Sequence, residues 1–83
     1  MSIPAVTSQA YDEIIDFFAA GTTPQTLIDF KPSEVARERV ADLIFNEKNL
    51  GLTAAEKAEL DQYLLLEHML RLAKARAHQY VVA

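Results

Sequence analysis

The sequence predicts an all-α fold, a small bundle of three to four helices. Its long C-terminal helix should form an antiparallel hairpin with the helix before it. Three observations carry that expectation. From Thr53 to His78 the chain reads TAAEKAELDQYLLLEHMLRLAKARAH, without interior Gly or Pro and rich in good helix formers. Tyr11, Ile14, Ile15 and Phe18 stand at i, i+3, i+4 and i+7, the period of a buried helical face. No alternating run or hairpin dipeptide marks a strand.

Residues 1–7 read as a short lead-in, with Pro4 in a first turn. Ser8 is placed to cap a first helix over about residues 9–20, with Asp12 and Glu13 carrying the charge that suits its start. Phe17 widens its apolar face, and Gly21 follows where a C-terminal cap belongs. Thr23-Pro24 signals a second helix, about 24–30, because Pro is tolerated at a first helical position. It must be short, since Pro32 disfavours helical geometry at Lys31. Leu27, Ile28 and Phe30 are its apolar content. Ser33 caps a third helix, about 34–48, with Ala36, Val40, Leu43, Ile44 and Glu47 marking its period and Val35 and Phe45 flanking it. Asn49-Leu50-Gly51 ends it. Residues 49–53 then suit the link of a helical hairpin.

The last helix, about 54–78, begins at Thr53, three residues ahead of Glu56 in capping-box spacing. Twenty-five residues make a rod of roughly 37 Å. Tyr63, Leu66, Leu70, Ala73 and Ala77 repeat at alternating three- and four-residue steps, the seam of a coiled-coil-like contact. Leu65, Met69 and Leu72 form a second stripe beside it. So wide an apolar arc faces more than one neighbour, and what the third and first helices leave uncovered is a candidate dimer surface. The N-terminal half should complete the hairpin core. From about Glu67 onward, apolar surface and basic charge exceed what short neighbours account for, so binding should be sought there.

Composition narrows the function classes. Eighty-three residues make one domain, 1–83, with a thin core. The absence of cysteine removes disulfides, thiolate zinc sites and cysteine nucleophiles. A net charge of −4 argues against a general nucleic-acid or anionic-membrane surface. No apolar run approaches a membrane span, and MSIPAVTSQ lacks the pattern of a signal peptide. A soluble cytoplasmic protein is expected.

Four kinds of chemistry bear on these residues. Glu67, His68, Asp61 and His78 are the nearest approach to a metal cluster, but adjacent helical positions point about 100° apart and cannot chelate together. Asp12, Glu13 and Asp16 are the nearest to an acid–base set, yet four short helices offer little to enclose a pocket that tunes them. With glycine only at 21 and 51, no phosphate loop or nucleophile elbow is available. Arg71, Lys74, Arg76 and His78 form a small basic patch with Tyr80 nearby, enough for a weak phosphate contact but better explained as a solvated helix end matched to its dipole. Partner binding is what the physics favours, through the apolar arc or the tail Gln79-Tyr80-Val81-Val82-Ala83.

The pieces YDEIIDFFAAGTTPQTLIDFKPSE, RVADLI and GLTAAEKAELDQYLLLEHMLRLAKARA bear on this. With their F-x-P-S-E turn, L-T-x-x-E cap and L-E-H-M-L-R-L-A-K-A-R-A ending, the chain resembles a family of short uncharacterised bacterial all-helical proteins. Some members look like the antitoxin-type partner of a neighbouring nuclease-like protein. The resemblance implies no catalytic residues and points to the end built from Glu67, His68, Arg71, Lys74 and Arg76. The resulting expectation is a non-enzymatic protein–protein interaction module, homodimeric, with no cofactor or metal. Its partner-binding residues would be Glu67, His68, Leu70, Arg71, Lys74 and Arg76. The alternative is a small DNA- or RNA-associated regulator using the basic end of the last helix.

Overall fold

The computed structural model describes residues 9–81. Four helices follow in order: α1 (Asp12–Ala19), α2 (Pro24–Asp29), α3 (Glu34–Asn49) and α4 (Ala54–Val81). No strand occurs among the described residues, and the all-α bundle with a long last helix is what the chain forms. The expected lead-in with Pro4, the Ser8 cap and the tail residues Val82 and Ala83 lie outside the described residues.

Local signals set the helix ends. Thr23 accepts from Thr26 N while Thr26 Oγ1 accepts from Thr23 N, closing a capping box around Pro24. Ser33 Oγ accepts from Ala36 N at 3.1 Å. Thr53 Oγ1 accepts from Glu56 N at 3.1 Å and Glu56 Oε1 accepts from Thr53 N at 2.9 Å, the expected box at the head of α4. Gly51, at φ 85, takes the left-handed conformation that stops α3 and frees the chain to reverse. α4 has 28 residues, about 42 Å, and runs past His78 because no breaker follows it. α1 starts later than expected. Its cap position is Tyr11, which offers no capping side chain, and Asp12 supplies the acceptor by receiving Gln9 N at 2.7 Å.

The core lies where α1 crosses α3 and the N-terminal half of α4. Ala10, Ile14, Val40, Leu43, Leu60, Tyr63 and Leu70 form one buried cluster. α3 meets α4 sparingly, where Arg39 of α3 reaches Glu59 in the second turn of α4. The third-helix period is recovered at Ala36, Val40 and Leu43, while Ile44 and Glu47 lie outside the buried set. α1 is turned relative to its expected face. Tyr11, Ile14 and Phe17 point inward, whereas Ile15 and Phe18 are exposed. The reason is Phe30, whose ring stacks on Phe17 at 4.4 Å and 28° and draws that side of α1 inward.

α2 changes the expected plan most. Though six residues long, it makes the more extensive contact with α4, ahead of α3. It covers the C-terminal half that the short neighbours seemed unable to reach. Leu27 packs near Ala73 and Ala77, and the Lys74 ammonium donates to the Phe30 and Ile28 carbonyls at the end of α2. Those are the carbonyls a helix end leaves unpaired. The seam Tyr63, Leu66, Leu70, Ala73, Ala77 is therefore buried or half-buried along its whole length.

One buried charge holds the junction together. Glu59, only 5 % exposed, accepts from Arg39 Nε at 3.0 Å, from the Arg39 terminal nitrogen at 2.8 Å and from Ala10 N at 2.8 Å. This carboxylate joins the approach to α1, the middle of α3 and the second turn of α4. The Arg39 hydrogen bond holds its carboxyl below the ordinary range; burial opposes that shift, and the Ala10 N–H and the Arg39 charge reinforce it.

Candidate functional site

Residues along α4 turn by 100° per step, and that rotation separates the six expected partner-binding residues. Glu67, Leu70, Arg71 and Lys74 line a cleft of about 330 Å³ together with Phe30, Pro32, Arg37 and Tyr63. Arg76 lies on another cleft of about 280 Å³, beside Thr22, Thr23, Pro24, Leu27, Ala73, Ala77 and Tyr80. His68 borders neither. Leu70, at 4 % exposure, belongs to the core and presents little surface to a partner.

The basic end is largely engaged within the chain. Arg71 pairs with Glu67 one turn away. Lys74 is half-buried and directed at the carbonyls of α2. Arg37, across the first cleft, pairs with Glu34 at 2.8 Å. Arg76 is exposed, with no ion pair or hydrogen bond among the described residues.

The first cleft has an apolar floor of Phe30, Tyr63 and Leu70 beneath a charged rim. Burial, reinforced by the charges of Glu67 and Glu13 and countered by Arg37, pushes the Tyr63 phenol above its ordinary range, so it stays neutral at neutral pH. The acidic set on α1 serves local structure: Asp12 receives Gln9 N, and Glu13 receives Ser33 N at 2.8 Å, tying α1 to the start of α3. Among the described residues, no group of three or more His, Asp or Glu could hold a metal ion. No helix there is long and apolar enough to cross a membrane.

The unsatisfied feature lies elsewhere on α4. Leu65, Met69 and Leu72, at i, i+4 and i+7, are 55 %, 54 % and 58 % exposed. The sequence makes whatever part of the apolar arc its neighbours leave uncovered a candidate dimer surface. The stripe remains open because α1, α2 and α3 all gather on the seam side. Other large apolar side chains are also exposed, among them Val35, Phe45 and Leu50. Hydropathy finds the Leu65–Met69–Leu72 stripe in the sequence; only the packing of α2 shows which of the two stripes is left over.

Compared with known proteins, the chain matches no family model, no curated protein and no solved structure.

Proposed function

We propose that this protein is a non-enzymatic protein–protein interaction module of the cytoplasm. One observation carries the reading: the apolar stripe Leu65–Met69–Leu72 is left in water by a fold that has buried or half-buried the seam beside it. Large exposed apolar patches mark contact surfaces in small proteins. In so thin a core, covering three more large side chains is a substantial gain; each is a little over half exposed, so its full burial adds roughly 1–1.5 kcal/mol. The family resemblance adds a role, the antitoxin-like partner of a toxin or nuclease, in which the chain acts by occupying its partner. No catalytic group or cofactor is assigned. The nucleic-acid alternative draws less support, because Arg71 and Lys74 are committed to Glu67 and to the α2 carbonyls.

The test is capture by the purified chain, compared with a Leu65→Glu/Leu72→Glu variant whose helicity is verified by circular dichroism. The expected result is a protein that co-purifies with the native chain and is lost with the variant. Recovery of nucleic acid in place of protein, released by salt, would favour the alternative and overturn this reading.

A further inference from the structure

We propose that the occupant of the exposed α4 stripe is the same stripe of a second copy, running antiparallel, with its twofold axis between His68 and Met69. This rests on the interaction reading above and names the partner for that surface.

The first support is the period. Ala58, Gln62, Leu65, Met69, Leu72 and Arg76 follow one another at steps of four, three, four, three and four residues, the spacing that keeps a helix face against a partner helix. All six are exposed, so a continuous strip about 27 Å long is open along the rod. It lies roughly a quarter to a third of a turn from the buried seam. Pairing through it leaves the contacts of α4 with α2 and α3 intact.

The second support is the order of residues about the midpoint. Leu65 and Leu72 are equidistant from it, and so are Asp61 and Arg76. A twofold antiparallel pair brings each residue near the height of its counterpart, so leucine meets leucine and carboxylate meets guanidinium, twice over. Both charges are available. Asp61 is exposed and has only a long 3.6 Å pair with Lys57, and Arg76 has no ion-pair partner among the described residues. A parallel pair in register would set Asp61 against Asp61 and Arg76 against Arg76, which is unfavourable. The sequence of the stripe thus selects both the partner and its direction.

Charge reversal tests this on the full chain by sedimentation equilibrium at tens of micromolar. The native protein should be a dimer. Asp61→Arg alone and Arg76→Asp alone each turn two attractions into two repulsions and should raise the dissociation constant roughly tenfold or more. Asp61→Arg/Arg76→Asp should restore the dimer, and mixing the two single variants should give a heterodimer. Direction is read separately, because the chain lacks cysteine. Under oxidation, a mixture of Asp61→Cys and Arg76→Cys proteins should cross-link to each other in preference to themselves. Self-linking of each would mean a parallel pair and overturn the proposal. A native monomer that still captures a protein through Leu65 and Leu72 overturns the self-pairing and leaves the interaction reading standing. A monomer that captures none overturns both.

Discussion

Glu59 is a buried charge that ties three segments of the fold together. Its two oxygens serve a guanidinium and a backbone N–H from segments 20 and 49 residues away in sequence. Replacing it with alanine leaves the buried Ala10 N–H without its acceptor and releases Arg39 to solvent, and should cost about 1–3 kcal/mol in a urea melt. Arg39→Ala should cost as much or more, because a buried carboxylate then loses its counter-charge. The acid limb carries a further signature. A carboxyl depressed in the folded state contributes stability that is complete above the unfolded pKa and is lost as pH falls through the folded one. Stability should therefore fall below about pH 4, and Glu59→Gln should start lower at pH 7 and show a shallower acid limb. Parallel acid limbs for the two proteins would remove Glu59 from that account. Tyr63 works at the other extreme. Its raised phenol adds stability that is present below about pH 10 and lost as pH rises further, so Tyr63→Phe should remove the late step of an ultraviolet titration.

At the scale of elements, α2 and α4 depend on different devices. α4 begins with a closed capping box, and Thr53→Ala should cost on the order of 1 kcal/mol, read as a lower melting temperature. α2 is too short to be stable alone and buries no residue fully. It is held by its contact with α4 and by Lys74 at its C-terminal carbonyls. Lys74→Met keeps the aliphatic stem and removes the donor. The expected outcome is faster amide exchange confined to α2, with protection unchanged around Leu43 and Leu60. If exchange in α2 did not respond, the lysine would be incidental to its docking.

For the whole molecule, the balance between buried and exposed apolar groups decides behaviour. Ile14, Leu43 and Leu60 are the only large side chains wholly removed from water among the described residues, so each carries a large share of a small total. Leu43→Ala should cost about 3 kcal/mol and bring the chain close to unfolding at room temperature. Leu70→Asp should unfold it outright by placing an unpaired charge in the core. Leu72→Asp, two residues along the same helix, should leave the melt of the isolated chain nearly unchanged and affect association alone. An equal effect of the two aspartates on folding would mean that the seam and the open stripe had been exchanged.

The caps, the helix breaks and the α4 seam were legible in the sequence because each is a local matter. A cap needs a hydroxyl or carboxylate within three residues of a free N–H, and a seam needs only a period along one helix. Thr23, Ser33, Thr53 and the run Tyr63, Leu66, Leu70, Ala73, Ala77 stand where those rules placed them. Three things depended on groups far apart in the chain. The rotation of α1 is set by Phe30 against Phe17, the use of Lys74 by carbonyls more than 40 residues earlier, and the burial of Glu59 by Arg39 and Ala10. Period alone gives α4 a seam and a second apolar stripe beside it, without saying how far the neighbours cover either. Which becomes core and which stays open is decided by where the neighbouring helices land, and here a six-residue helix settled it.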